Sequence, residues 1–135
     1  METRDWRSDM KDKITSFSDL TVWKRAHELE LYIYKMTAKF PRSEIFGLVS
    51  QLRRAGTSIS ANIAEGMGRG TYADRSRFYY NSRGSMYEVE SLLITAKDME
   101  YISNIEYNNV RQQIEEVGRL LNGFINKTRQ LISGL

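Results

Sequence analysis

Apolar residues recur along much of the chain at the alternating three- and four-residue spacing of amphipathic helices. Between residues 18 and 40 this spacing predicts a first helix, whose apolar side consists of Val22, Ala26, Leu29, Ile33, Met36 and Phe40. Pro41 ends that helix, because the residue before a proline avoids the helical region of backbone space. A second helix is expected from about Ser43 to the glycines of residues 66–70, with Ile45, Leu48, Leu52, Ala55 and Ile59 on its apolar side.

Two further helices are predicted after residue 70, each opening on the spacing of a capping box. The third begins after Thr71, and its apolar side consists of Phe78, Ser85, Val89, Leu92, Ala96 and Met99. The fourth begins at Ser103, and its apolar side consists of Val110, Ile114, Val117, Leu121, Phe124, Thr128 and Leu131. No strand pattern is present. Because short connections make successive helices antiparallel, the sequence predicts an all-α fold, an antiparallel up-down-up-down four-helix bundle.

The 135 residues match the length of one domain. We expect the bundle to occupy residues 16–135 and residues 1–15 to form a flexible N-terminal arm. Trp6 is unusual in that arm, and it belongs either to a disordered terminus or to a segment that docks on a neighbouring subunit. No apolar run of membrane-spanning length and no signal-peptide core are present, so a cytoplasmic location is expected.

Side chains that support catalysis are scarce. The chain has no cysteine and one histidine, His27, which lies beside the apolar side of the first helix. Two pairs of glutamates, Glu88 with Glu90 and Glu115 with Glu116, are close in sequence but point to different sides of a helix. The glycines of residues 66–70 lack the preceding strand and the lysine of a phosphate-binding loop. We therefore expect neither an enzyme nor a metal or cofactor site.

Positive charge is concentrated in the middle of the chain. Residues 53–83 contain six arginines and two acidic residues, a net charge of +4, whereas residues 84–135 contain five basic and seven acidic residues, a net charge of −2. The six arginines are Arg53, Arg54, Arg69, Arg75, Arg77 and Arg83. At least four of them lack an acidic partner nearby in sequence, so they are candidate contacts to the phosphates of RNA or DNA. The competing interpretation is a solvated, salt-bridged face.

A second set of residues suggests self-association. Three consecutive aromatic residues, 78–80, cannot all face one core, because successive helical residues point about 100° apart. Protein interfaces favour such side chains. Polar residues also follow the second helix among many small ones. The candidate oligomer interface therefore consists of Ser58, Asn62, Glu65, Tyr79 and Tyr80.

Four sequence blocks, in this order, resemble a known family. They are Phe17-x-x-Leu20-x-x-Trp23-x-x-Ala26, then Phe46-Gly47-Leu48-x-x-Gln51-x-Arg53-Arg54-Ala55-x-x-Ser58, then Asn62-Ile63-Ala64-Glu65-Gly66, then Gly84-Ser85-x-x-Glu88. Over residues 17–131 the chain is similar to the four-helix bundle proteins encoded in intervening sequences of bacterial 23S ribosomal RNA genes. The accessory variability proteins of diversity-generating retroelements are similar too.

This resemblance implies a barrel-like homopentamer of antiparallel bundles with a basic surface for RNA or DNA and no known catalytic site. In the retroelement branch it implies a reverse transcriptase as partner. The leading hypothesis is thus an oligomeric, non-catalytic nucleic-acid-binding accessory protein. The alternative is a purely structural or protein-binding homo-oligomer, whose arginines pair with acids of neighbouring helices or subunits.

Overall fold

The computed structural model describes residues 16–134 and contains four long α-helices. They are α1 (Thr21–Thr37), α2 (Ser50–Met67), α3 (Tyr72–Asp98) and α4 (Asn104–Ile132). Short 3₁₀ turns at Phe17–Asp19 and Arg42–Glu44 precede α1 and α2, and a π-helical turn at Ile45–Val49 leads into α2. No strand occurs in the described part of the chain. The predicted all-α four-helix bundle is confirmed, while the N-terminal arm and Trp6 lie outside the described residues.

Each helix of the bundle packs against two others. Helix α2 contacts α1 and α3, and α4 contacts α3 and α1. Along α1 and α2 the contacts occur in reverse order, since Thr37 meets Arg53 whereas Glu30 meets Ser60. Helices α3 and α4 follow the same reversed order, since Tyr79 meets Phe124 whereas Lys97 meets Tyr107. The helices are long and the connections between them are short. Each end of the bundle therefore brings together connections and helix ends that are far apart in sequence.

The predicted apolar sides of the first and fourth helices lie in the core. All six positions predicted for the first helix are buried: Val22, Ala26, Leu29, Ile33, Met36 and Phe40. Six of the seven positions predicted for the fourth are buried as well, namely Val110, Ile114, Val117, Leu121, Phe124 and Thr128. Leu131, near the end of α4, is half-buried. The helical spacing alone therefore identifies the core faces of these two helices correctly.

The core face of α3 differs from the predicted one. Its buried residues are Ser76, Tyr79, Ser82, Met86, Val89, Leu93 and Ala96. Of the positions predicted for the core, Phe78, Ser85 and Leu92 are half-buried and Met99 is 54% exposed. The reason is chemical: Ser82 faces α2, and its hydroxyl donates a 2.7 Å hydrogen bond to the carbonyl oxygen of Ile59. Small polar side chains occupy core positions of α3, so the spacing of hydrophobic residues does not identify the core face of this helix.

The start of α2 also differs from the prediction of a helix beginning near Ser43. Gly47 has φ −110° and ψ −110°, which interrupts regular helix geometry in the π-helical turn. An added Cβ on Gly47 would lie 2.8 Å from Oε1 of Glu44, whose carboxylate accepts a hydrogen bond from the Leu48 amide. As a result Ile45, predicted for the core, is 48% exposed.

Both predicted capping sites are present. The Thr71 hydroxyl accepts a 3.2 Å hydrogen bond from the Asp74 amide at the start of α3. At the start of α4, Ser103 and Glu106 form a complete capping box in which each side chain accepts from the backbone of the other. These caps satisfy amides that the first helical turn leaves without partners.

Candidate nucleic-acid interface

The six candidate arginines do not form one patch. Arg53 and Arg54 lie in the first turn of α2, whereas Arg69 follows the end of that helix. At 1.5 Å per residue, the 16 positions between Arg53 and Arg69 correspond to roughly 24 Å along the bundle. Arg83 lies near the middle of α3. The expectation that arginines of the second and third helices crowd together is therefore wrong for the set as a whole.

Three of the arginines do come together around the turn between α2 and α3. We call Arg69, Arg75 and Arg77 the turn arginines. Arg69 forms a 2.6 Å ion pair with Glu65, and Arg77 forms a 2.9 Å ion pair with Asp74. Arg75 contacts no carboxylate, and its Nε donates a 2.8 Å hydrogen bond to the carbonyl oxygen of Arg69. Two acids thus face three guanidinium groups at this turn, which leaves a net charge of +1.

Aromatic rings support most of the candidate arginines. Five guanidinium carbons lie 4.5–5.4 Å from a ring centre: Arg53 over Tyr34, Arg69 and Arg77 over Phe78, Arg75 over Tyr72, and Arg83 over Tyr80. A guanidinium group that stacks on a ring keeps the N–H donors along its edge for a planar or tetrahedral anion. The rings therefore hold these side chains in place without neutralising their charge.

The other three arginines differ in the hydrogen bonds that they form. Arg53 donates hydrogen bonds to the hydroxyl of Thr37 at 3.0 Å and to the carbonyl oxygen of Tyr34 at 3.2 Å, which joins α2 to the end of α1. Arg83 donates a 3.1 Å hydrogen bond to the side chain of Asn122 on α4. Arg54 is exposed, and no partner contacts it within residues 16–134. Arg53 and Arg83 thus have structural roles between helices.

Tyr79 does not lie on the surface, which corrects its assignment to the oligomer interface. Its side chain is 2% exposed and packs edge-on against Phe124, with ring centres 5.4 Å apart. Burial raises the pKa of the Tyr79 phenol to about 12, although the positive charge of Arg75 opposes the shift. The aromatic run at 78–80 is split, because Phe78 is half-buried under arginines and Tyr80 is 37% exposed.

The remaining candidate interface residues form contacts within the subunit. The Asn62 amide donates to the carbonyl oxygen of Ser58 at 2.8 Å. The Ser58 hydroxyl lies 2.8 Å from that of Ser85, which links α2 to α3. Glu65 pairs with Arg69. These hydrogen bonds satisfy the polar groups without a second chain, and the interface assignment of these residues and of Tyr80 stays a prediction.

His27 takes part in a polar network between α1 and α2. Its ring stacks on Trp23 with centres 4.8 Å apart, and its Nδ1 lies 3.3 Å from Glu30. The Glu30 carboxylate also accepts hydrogen bonds from the hydroxyls of Thr57 and Ser60. This arrangement ties the two helices together. Within residues 16–134 no group of three or more histidine or acidic side chains could hold a metal ion.

The model of the 23S rRNA-intervening sequence protein family matches residues 18–123 of this chain. The chain belongs to this family. A crystal structure of a protein of unknown function from the S23 ribosomal protein family of Bacteroides thetaiotaomicron is similar, with a TM-score of 0.70 and 27% sequence identity. That similarity covers 77% of this chain and 97% of the other. Comparison with curated proteins gives no match.

One block of the family resemblance has a clear structural explanation in this 23S rRNA-intervening sequence protein. Gly66, which ends the Asn62–Gly66 block, lies directly against the buried ring of Tyr79. A Cβ added at Gly66 would lie 2.6 Å from Cε1 of Tyr79. Atoms do not approach so closely, and the carbonyl oxygen of Arg75 would lie 3.1 Å away. The glycine is therefore needed for the close contact between α2 and α3.

Sequence reasoning missed one surface of this family member. Phe46 is 96% exposed, and its neighbours Ile45 and Tyr34 are 48% and 42% exposed. Helical spacing placed Ile45 in the core because the apolar period continues through the π-helical turn. The only signal for an exposed ring was Gly47, which follows Phe46 directly.

Along the part of the chain that the structure describes, no helix combines the length and the apolar character needed to cross a membrane.

Proposed function

We propose that this chain is a non-catalytic nucleic-acid-binding protein and that the turn arginines contact phosphate groups. The observation that carries the proposal is the stacking of all three guanidinium groups on Tyr72 or Phe78. Stacking fixes the planar groups at the surface, where their remaining N–H donors match phosphate oxygens. The family description, which refers to a 23S rRNA-intervening sequence, agrees with RNA as the first ligand to test.

More positive charge lies at the same end of the bundle. Tyr79 on α3 contacts Phe124 on α4, and the two helices are in contact in reversed order. Residues that follow Phe124 therefore lie near residues that precede Tyr79. Lys127 and Arg129 follow Phe124, and Arg75 and Arg77 precede Tyr79. This end thus offers five basic side chains against Glu65, Asp74 and Asp19, whose 3₁₀ turn borders the end of α2. The balance of charge there remains positive, which favours a polyanion.

Exposed aromatic surface adds a second type of contact. Tyr72 is 45% exposed beneath Arg75. Unpaired RNA bases stack on such rings and on guanidinium planes, whereas bases within a duplex are not accessible to them. We therefore expect the turn to bind RNA with unpaired bases more tightly than a DNA duplex of equal charge.

The test is a fluorescence anisotropy titration of a hairpin RNA with an unpaired loop and of a DNA duplex, each at two salt concentrations. If three phosphates are contacted, the slope of log affinity against log salt should be about −3 for the duplex and somewhat shallower for single-stranded RNA. Arg75→Gln with Arg77→Gln should reduce that slope by about 2 units. The matched control is Arg111→Gln with Arg119→Gln, because both side chains are exposed elsewhere on α4.

The control pair should leave both affinity and slope within error of the unaltered protein. Absence of binding at low salt would end the proposal. Equal losses in the two pairs would show that the overall charge, not the turn, attracts nucleic acid.

The alternative function, a structural or protein-binding homo-oligomer such as a partner of a reverse transcriptase, is favoured by a different observation. The end of the bundle opposite the turn arginines exposes Phe46, Ile45 and Tyr34 beside three arginines. A pentamer and a cytoplasmic location both remain predictions of the family resemblance and of the composition. The two functions are compatible, because they use opposite ends of the molecule.

A further inference from the structure

The connection between α1 and α2 presents an aromatic ring to solvent. Phe46 is 96% exposed, more than any other large apolar residue among residues 16–134. It borders a groove of about 760 Å³, whose other main lining residues are Tyr34, Arg42, Ile45, Arg53 and Arg54. We call these six residues the Phe46 groove. Exposed apolar side chains with polar ones around them are typical of a binding surface.

The floor of the groove is apolar and belongs to the core. Phe40 and Val49 line it, and they are only 8% and 6% exposed. A large apolar side chain that enters the groove therefore meets a well-packed surface below it and the ring of Phe46 beside it. Burial of a few such side chains contributes most of the binding energy at protein interfaces.

Several contacts hold the connection in shape before a ligand arrives. Oε1 of the Glu44 carboxylate accepts a hydrogen bond from the Leu48 amide at 3.3 Å, and Oε2 accepts one from the Tyr101 hydroxyl at 2.9 Å. Gly47 allows the turn to close over this carboxylate, because a Cβ there would lie 2.8 Å from Oε1. A site that is formed before binding loses little conformational entropy when it is occupied.

The charge of the groove defines the charge of its ligand. Three arginines line it and no acidic side chain does. Arg53 donates hydrogen bonds to the end of α1. Arg42 and Arg54 are exposed, and their guanidinium groups contact no partner within the part of the chain that the structure describes. These two groups match the carboxylates of a ligand in charge and in the arrangement of their N–H donors.

The neighbouring connection restricts the width of that ligand. Tyr101, which follows α3, contacts Glu44 and Phe40, so the connection between α3 and α4 lies at the same end of the bundle. Asp98 and Glu100 at that connection are exposed. A membrane surface or an extended nucleic acid that covered this end would bring its negative charges against both carboxylates. A peptide confined to the groove avoids them and is therefore the better fit.

We propose that the Phe46 groove binds a short acidic segment of another protein. A large apolar side chain of that segment lies against Phe46, and its carboxylates pair with Arg42 and Arg54. The proposal gives the protein-binding alternative a surface and a chemical class of partner. It does not depend on nucleic-acid binding, because the turn arginines lie at the opposite end of α2.

The first test selects peptides from a displayed library of random sequences on the immobilised full chain. The enriched peptides should combine acidic residues with aromatic or long aliphatic ones, and fluorescence anisotropy measures their affinity in solution. Phe46→Ala should weaken binding about tenfold or more. The matched control, Tyr87→Ala, removes a ring that is 55% exposed on α3 and should leave the affinity unchanged. Circular dichroism should show the same helix content in both variants.

Three results of this selection would overturn the proposal. They are no enrichment, enrichment of basic or uncharged peptides, and enriched peptides that bind Phe46→Ala as tightly as the unaltered chain. Basic or uncharged peptides would mean that the arginines do not choose the ligand. Equal binding to Phe46→Ala would place the ligand elsewhere on the chain.

The second test isolates the role of charge. Arg42→Gln with Arg54→Gln should weaken an enriched peptide about fivefold or more at low salt, and less at high salt. Replacement of the acidic residues of the peptide by their amides should have the same effect on the unaltered chain. Arg111→Gln with Arg119→Gln removes equal charge from exposed positions of α4 and should leave the affinity within error. Equal losses in the two double variants would contradict docking in the groove.

The third test separates the peptide from two other occupants, a second copy of this chain and a nucleic acid. Sedimentation without peptide should give the same mass for Phe46→Ala as for the unaltered chain, and a lower mass would assign the groove to a second copy. Arg75→Gln with Arg77→Gln should lower the affinity for hairpin RNA and leave that for the peptide unchanged, so failure of either proposal is seen separately. RNA that displaces the peptide from this double variant would assign the groove to nucleic acid.

Discussion

Helices α3 and α4 pack against each other along most of their length, yet they fill the core in different ways. The buried positions of α4 are almost all aliphatic or aromatic. Those of α3 include Ser76, Ser82 and the phenol of Tyr79. Helix α4 therefore gains stability mainly from apolar burial, whereas α3 depends on close approach to α2 and on one large ring. The difference explains why α4 has a clear hydrophobic pattern and α3 does not.

The largest expected effect comes from removing that ring. Tyr79→Ala should lower the free energy of unfolding by about 3–5 kcal/mol, because it leaves a cavity between Gly66 and Phe124. Chemical denaturation followed by circular dichroism measures the change. Tyr79→Phe is the control: it keeps the ring, and no hydrogen bond of the Tyr79 hydroxyl is present to be lost among residues 16–134. A loss below about 1 kcal/mol for Tyr79→Ala would mean that the α3 core face is not the one described.

This contrast also shows how much of the molecule the sequence predicted. The number of helices, the core faces of α1 and α4 and the caps at Thr71 and Ser103 follow from local rules, and the structure agrees with them. The face of α3 depends on which serines another helix covers. Ser82 is buried because the carbonyl oxygen of Ile59 lies within hydrogen-bonding distance, and a single sequence contains no sign of that contact.

The candidate site shows the same division. The shortage of acidic partners was predicted correctly, since Arg53, Arg54, Arg75 and Arg83 contact no carboxylate within residues 16–134, while Arg69 and Arg77 do. The spatial grouping was not predicted, because residues 53–83 extend over two helices. Arginines that are close in sequence, such as Arg53 and Arg69, therefore lie at opposite ends of α2. The exposed ring of Phe46 was missed because the apolar residues of the π-helical turn keep a helical spacing, although Ile45 and Phe46 lie at the surface and Leu48 and Val49 are buried.

The buried phenol of Tyr79 also makes the stability of the protein depend on pH. Burial raises the pKa of Tyr79 to about 12 from an ordinary value of 10.0, so the folded state holds this proton more tightly than the unfolded state. The stability that this difference contributes is fully present below pH 10 and is lost as the pH rises through 12. The free energy of unfolding should fall by about 2–3 kcal/mol over that range. Denaturation of the unaltered chain and of Tyr79→Phe at pH 9, 10.5 and 12 tests this. The phenylalanine variant should lose less stability at the alkaline end, and parallel curves would contradict the assignment.

The smallest expected effect concerns the outer side of α3, opposite its polar core face. Gly84 lies in the middle of this helix, and a Cβ added there meets no atom within 4 Å. Gly84→Ala should therefore raise the free energy of unfolding by about 0.5–1 kcal/mol through helix propensity alone. Gly66→Ala is the opposing control, because its Cβ would collide with Tyr79 and lower stability. If Gly84→Ala destabilises the protein in solution, the open surroundings of this glycine are contradicted.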